Sequence, residues 1–244
     1  MTSPRLVMLC ARTARSVAYL QALAAANIVP DDVLVYGKAN SAVNSSRSLE
    51  VQALNGIFCP DLAQDIDVCL DRLGWPYELC DAETLEAPEL LTSIAAMSPD
   101  LVVYSGYGGQ LVPLSLLRHY PMLHIHSGWL PQYRGSTTLY YQIIEQRQCA
   151  ASALLLDENI DTGPVLTRKT YPMPPPGIDV DYLYDNAIRA DLLVTVLANW
   201  RKSANTLTEE AADFSQQQLP PYFIIHPLLK HMALLAVDRQ KATP

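Results

Sequence analysis

The chain predicts an α/β fold: a Rossmann-like, mostly parallel sheet flanked by helices, with a short, mainly helical C-terminal extension. Three observations predict it. Strand and helix signals alternate from Arg5 to Thr170. The strands are short apolar runs without polar alternation, such as Arg5–Cys10 and Asp100–Ser105, which is how strands covered on both faces read. Glycine-rich or polar breaks follow them directly, as in Gly106-Tyr107-Gly108-Gly109. In such sheets the ligand crevice lies beyond the carboxyl ends of the central strands.

Taken in order, Arg5–Cys10 is a buried strand, and Ser16–Ala25 has helical apolar spacing with a start near Thr13 or Ser16. Asp32–Tyr36 is the next strand, ending at Gly37, and the polar stretch Lys38–Glu50 is a surface loop. Asp61–Leu73 reads as amphipathic helix, Tyr77–Cys80 as a short strand and Glu83–Met97 as helix. After the strand Asp100–Ser105 come a short helix at Pro113–Tyr120 and a strand at Met122–His126. A helix at Gly135–Gln146 and strands at Ala150–Leu156 and Val165–Thr170 complete the alternating part. Tyr171-Pro172-Met173-Pro174-Pro175-Pro176-Gly177 is a rigid connector, because consecutive prolines favour extended geometry. Val180–Trp200 is a long amphipathic helix, and the apolar tail Tyr222–Val237 suits a final element that covers a domain face or a second subunit. The expected division is a catalytic domain over 1–172, then connector and extension over 173–244.

Composition narrows the function class. With 244 residues, half of them hydrophobic, the chain can bury a full-sized core. A net charge of −8 argues against a broad nucleic-acid surface. No apolar run reaches the roughly 18 residues of a membrane span, and Arg5 and Arg12 bracket too short an apolar run for a signal peptide. The five cysteines are odd in number and none forms a CxxC pair, which points to reduced core thiols, a cytoplasmic setting and no zinc ribbon. The first βα turn, Ala11-Arg12-Thr13-Ala14-Arg15, lacks GxGxxG and so shows no dinucleotide fingerprint.

The chemistry concentrates between His124 and Asp161. Side chains alternate along a strand, so His124 and His126 share one face while Leu123 and Ile125 enter the opposite layer. A His/His/carboxylate set with Asp161 serves two chemistries. An imidazole can polarise or protonate a carbonyl oxygen while the carboxylate orients it and handles protons. The same three groups can instead hold a metal ion, as in a hydrolase or lyase. The plainer alternative is one structural histidine and an Asp161 that caps the turn before Gly163.

The motifs in order resemble the formyltransferase family, whose pattern is an Asn-x-His strand, a Leu-Pro, an Arg-Gly and, well downstream, an Asp-x-Gly turn. The counterparts here are Ile125-His126, Leu130-Pro131, Tyr133-Arg134-Gly135 and Asp157-Glu158-Asn159-Ile160-Asp161-Thr162-Gly163, with Gly106-Tyr107-Gly108 and Pro113 as the preceding loop. The resemblance runs from Arg5 to Thr170. It implies formyl transfer from N10-formyltetrahydrofolate to an amine. On that analogy His126 bonds or protonates the formyl oxygen, and Asp161 favours its protonated form and helps take the amine proton. Gly106, Tyr107, Gly108 and Leu111, with Asp157, Glu158, Asn159 and Ile160, would line the pterin pocket, largely through backbone groups.

One departure stands out: His124 replaces the family's asparagine. An amide donor to a developing oxyanion contributes about 3 kcal/mol in comparable sites. A neutral imidazole N–H can supply that donor, and a cationic one a stronger donor; a hydrolytic role or a metal is also open. Ser127-Gly128 stands where common members carry Pro-Ser, which would reshape the amine pocket. Arg134, Gly135 and Ser136 would face the acceptor, while Ser136, Thr137 and Thr138 read first as ordinary helix capping. Tyr140 and Tyr141 suit packing as well as substrate contact, and Asp185 and Arg189 have the i,i+4 spacing of a solvated helix-surface ion pair. The acceptor expected is a small-molecule primary amine, with an amino-sugar as first choice. A tRNA acceptor fits less well, because residues 178–244 read as helices rather than an RNA-binding β-barrel. A folate-dependent formyl hydrolase on the same scaffold, a metal-dependent enzyme and a non-catalytic folate binder are the rivals.

Overall fold

The computed structural model describes residues 4–38, 54, 56–203, 206–210 and 220–239. The surface loop expected after Lys38 lies outside them. Strands β1 (Leu6–Ala11), β2 (Asp32–Tyr36), β3 (Tyr77–Cys80), β4 (Leu101–Ser105), β5 (Met122–Ser127), β6 (Cys149–Leu155) and β7 (Val165–Tyr171) form one sheet in the order 3-2-1-4-5-6-7. The pairs among β1 to β5 are parallel, whereas β6 and β7 join antiparallel. The helices are α1 (Ala14–Ala25), α2 (Ile66–Leu73), α3 (Pro88–Met97), α4 (Leu114–Leu117), α5 (Thr138–Gln146), α6 (Asp185–Lys202) and α7 (Pro227–Asp238), with a π-helical turn at Val180–Tyr184 before α6.

Local chemistry explains where the helices begin. Thr13 caps α1 by accepting from the Ser16 amide at 3.3 Å. Helix α2 starts later than the apolar spacing suggests, because Asp61 is held in a turn by Gln21 and by its own bond to the Ala63 amide. Helix α3 likewise starts at Pro88 rather than Glu83. The proline pushes Ala87 to extended backbone, φ −60 and ψ 129, and a proline is favoured in the first helical turn. Helix α5 starts at Thr138 rather than Gly135, since Gly135 has φ +108 and bridges to Tyr222. Its backbone passes so close to Tyr222 that a Cβ there would meet that residue's main chain.

The sheet is buried on both faces. Leu6, Met8 and Cys10 of β1 join one apolar cluster with α1, α5 and α6, while Val7, Leu9 and Ala11 join a second with α3 and α4. Strand β5 splits the same way: Leu123 and Ile125 enter the first cluster, Met122 the second. Beyond Met122 that second face carries His124 and His126 and opens into a cavity. Residues on both sides of position 172 share the first cluster, and Leu192, Leu193 and Val196 of α6 lie in it beside Leu123. Helix α6 buries Ile188, Leu192, Leu193, Val196, Leu197 and Trp200 and leaves Thr195, Asn199 and Lys202 exposed on the opposite side, so one face is apolar and one polar, as its spacing predicts. Helix α7 packs against α5, burying Ala233 and Val237 but leaving Leu228 and Met232 exposed. Cys10, Cys69, Cys80 and Cys149 are buried thiols, and burial pushes the Cys10 thiol up to about 12. Among the described residues no helix is long and apolar enough to cross a membrane.

Candidate active site

The cavity lies beyond the carboxyl ends of β1, β4 and β5, where the sheet order reverses between β1 and β4. Its volume is about 640 Å³, within the range of small-molecule sites. Two turns form its long walls. The first, Tyr107 to Val112, is anchored by Tyr36, whose hydroxyl donates to Gln110 Oε1 at 2.6 Å, and by an edge-on contact between Tyr36 and Tyr107. The second, Leu156 to Asp161, is anchored by the Leu156 amide on the Met122 carbonyl at 2.8 Å. Inside it Asp157 accepts from the Thr162 hydroxyl at 2.7 and 2.8 Å and from the Asn159 amide at 3.1 Å, which closes the turn.

Both histidines reach the cavity, and each has a definable tautomer. His126 is buried, with Nε2 2.6 Å from the Tyr133 carbonyl oxygen. A carbonyl only accepts, so Nε2 carries the hydrogen. The Thr138 hydroxyl, which donates to the Ser127 carbonyl, adds a 3.2 Å contact to the same nitrogen. Nδ1 faces Asp161, 3.4 Å from Oδ2. That carboxylate oxygen also accepts from the Gly135 amide at 2.9 Å. Asp161 has φ +53, a left-handed conformation that aspartate tolerates better than most residues.

His124 differs. Burial, then the guanidiniums of Arg15 and Arg189, push its pKa well below the ordinary histidine value, so the ring is neutral. The cationic donor that the sequence left open is therefore not available at this position. Nδ1 lies 3.5 Å from the Tyr104 carbonyl, which places the hydrogen there and leaves Nε2 as an acceptor. Below about pH 6.5 the unfolded chain protonates this histidine while the folded chain does not, so stability falls as the pH drops, by roughly 1.4 kcal/mol per unit for one proton. Replacing His124 with asparagine is expected to flatten that part of the profile, as read by urea unfolding of both proteins between pH 6.5 and 5.

Of the residues singled out in the sequence, the structure brings His124, His126, Asp161, Tyr107, Gly108, Leu111, Asp157, Glu158, Asn159, Ile160, Gly135 and Ser136 to one cavity. Gly106, Ser127, Gly128 and Arg134 do not line it. Gly106 offers its carbonyl to Arg15 behind the loop, and Gly128 pairs with Ala150 and Ser152 within the strand layer. Ser127 is buried with its carbonyl taken by Thr138, and the Arg134 carbonyl binds the Tyr222 amide at 2.7 Å. These four support the site from outside its wall.

Two expectations are corrected. Thr137 makes no side-chain cap on α5; its hydroxyl instead accepts from the Ile225 amide at 2.8 Å and fastens the C-terminal segment over the site. Asp185 and Arg189 do pair, at 3.0 Å, but on the inner face of α6 rather than in solvent. Arg189 lines the cavity and donates to the Ile125 carbonyl at 2.6 Å. The available signal was its register: Arg189 precedes the buried Leu192 and Leu193 by three and four residues and so shares their inner face rather than that of Thr195 and Asn199. Arg15 was also missed; its signal was a second arginine beside a first βα turn that carries no glycine. Tyr140 and Tyr141 turn out to be tied to Asp181 and to the Phe223 carbonyl, as packing residues would be. His124, His126 and Asp161 do not converge as ligands: among the described residues no group of three His, Cys, Asp or Glu is arranged to hold a metal ion.

Comparison with known proteins agrees with this geometry. Methionyl-tRNA formyltransferase of Trichlorobacter lovleyi is 32% identical over 142 residues, covering 56% of this chain and 44% of that protein. The Desulfotalea psychrophila enzyme of the same name is 29% identical over 161 residues, covering 64% and 48%. The chain thus spans about half the length of the curated relatives it matches. Among solved structures, phosphoribosylglycinamide formyltransferase from Streptococcus pneumoniae shares the fold with TM-score 0.57 at 16% identity, covering 83% of this chain and 99% of that one. A sugar N-formyltransferase from a Shewanella species does so with TM-score 0.55 at 20% identity, covering 96% and 87%. The family described as formyl transferase matches residues 6–197, a span holding both cavity turns, the two histidines, Asp161 and Arg189, and the chain belongs to that family.

Proposed function

We propose that this chain transfers a formyl group from N10-formyltetrahydrofolate to a primary amine of a small molecule. The observation that carries the reading is His126: its Nε2–H is committed to the Tyr133 carbonyl, so Nδ1, beside Asp161, is the nitrogen left to exchange a proton inside the cavity. The donor supplies an activated formyl carbon, and transfer requires the amine to lose a proton, N10 to gain one and the N10–carbon bond to give way to a new nitrogen–carbon bond. The turns 107–112 and 156–160 suit a flat, heteroaromatic ring, since they present backbone groups and the apolar Leu111 and Ile160, both exposed at the cavity. His126 Nδ1 takes the amine proton, and the carboxylate of Asp161 stabilises the ring while it holds that proton. The protonated ring then donates to the formyl oxygen or returns the proton to N10. His124 Nε2, an acceptor in its observed tautomer, orients the amine through one N–H bond.

The acceptors to be tried include an amino-sugar, the class the sequence favours, and methionyl-tRNA, because relatives carry that name. The acidic balance of the chain supports a small molecule over nucleic acid. The five unbridged cysteines support a cytoplasmic setting. Incubation with N10-formyltetrahydrofolate decides the reading. Release of tetrahydrofolate that depends on added amine, with an N-formyl product seen by mass spectrometry, is the expected result. Release with stoichiometric formate and no need for amine would make the chain a hydrolase instead.

A further inference from the structure

The proton chemistry above leaves Arg15 unused. It stands in the first turn of α1, at the crevice between β1 and β4, and lines the cavity with His124 and Arg189. One Nη donates to the Gly106 carbonyl, but Nε is buried and has no hydrogen-bond partner. The two guanidiniums are not equivalent. Arg189 is met by Asp185 and by the Ile125 carbonyl, whereas among the described residues no carboxylate forms an ion pair with Arg15. Of the acids lining the cavity, Asp161 is engaged by the Gly135 amide and His126, and Asp157 by the Thr162 hydroxyl. A buried guanidinium with an idle donor, beside a second positive group, is costly unless something negative meets it. Burial and the neighbouring Arg189 accordingly push its pKa down.

We infer that Arg15 receives an anionic group of the acceptor, so that the acceptor is a primary amine that also carries a carboxylate or a phosphate. This rests on the formyl-transfer reading. A guanidinium fork suits both anions, and a planar pair of N–H donors matches carboxylate or phosphate oxygens. With the anion on Arg15, the amine of the same molecule comes beside His124, which stands in the same part of the cavity wall and feels Arg15 directly. His124 must stay neutral to accept the amine N–H, and its burial, with the two arginines, keeps it so.

The test compares matched acceptors: glycine and β-alanine against glycinamide and β-alaninamide, and ethanolamine phosphate against ethanolamine. The wild type is expected to prefer the charged member of at least one pair in kcat/KM, and which pair shows it tells carboxylate from phosphate. In Arg15→Met that preference should fall about 50-fold, the scale of a lost charge-assisted hydrogen bond, with partial recovery in Arg15→Lys. A merely structural role would lower both members of a pair alike and leave their ratio unchanged. A wild type that favours the neutral amines overturns the inference, whatever the variants do. So does an Arg15→Met protein whose only defect is a raised KM for the folate, since the anion would then belong to the donor. If no amine and no water accepts a formyl group from the wild type, the formyl-transfer reading itself has failed.

Discussion

Asp161→Asn is expected to lower kcat for formyl transfer by about a hundred- to ten-thousand-fold, the range of a lost acid–base partner, with KM for the folate nearly unchanged. The substitution isolates charge from shape. Asparagine tolerates the left-handed φ of +53 at this position, and its side-chain oxygen can still accept from the Gly135 amide as Asp161 does at 2.9 Å. Only the negative charge 3.4 Å from His126 Nδ1 is removed. Steady-state kinetics and thermal unfolding of the same preparation check it. A fall in kcat with an unchanged melting temperature supports a role through His126; a fall in stability that matches the fall in activity would reduce Asp161 to a turn residue. Asp161→Ala is a poorer probe, because alanine at that φ is strained and leaves the Gly135 amide without its acceptor.

Gly163→Ala is expected to destabilise the fold by about 3 kcal/mol. Strand β6 runs so close that a methyl group at 163 would overlap the Leu155 carbonyl oxygen and press on the Asp157 amide. Both are main-chain atoms in the anchor of the second cavity wall, so no side chain can swing aside to relieve the overlap. A lower urea midpoint with an unchanged slope is the expected readout. Gly108→Ala serves as the stability control, since a Cβ there meets nothing within 4 Å, and a change within about 0.5 kcal/mol is expected.

Strand positions were legible because burial on both faces leaves short apolar runs that depend on little beyond the local sequence. β2 and β3 match their predicted bounds, and β5 carries His124 and His126 on one face as the two-residue period requires. Helix starts were less legible, since apolar spacing extends over the turns before α2 and α3 until Asp61 and Pro88 set where the backbone can turn helical. That His124, His126 and Asp161 share one site was readable from types and order, and so were the two wall-forming turns. The placing of Ser127, Gly128 and Arg134 was not, because backbone pairing with Thr138, Ala150, Ser152 and Tyr222 takes up their polar groups, and those partners are distant in sequence.

By itself, then, the sequence determined the alternating architecture and the shared face of the two histidines, which follow from local periodicity, and the order of its motifs carried the resemblance to the family. Tertiary structure alone decided the electrostatics of the site. The packing of α6 against β5 turned a nominal surface ion pair inward, and α1 carried Arg15 to the same wall from the far end of the chain. Charge effects act through space and grow as water is excluded, so they depend on which distant residues share a cavity and on how deeply each is buried. That is why His124 could be located from sequence, whereas its neutral state, its tautomer and the idle guanidinium beside it could not.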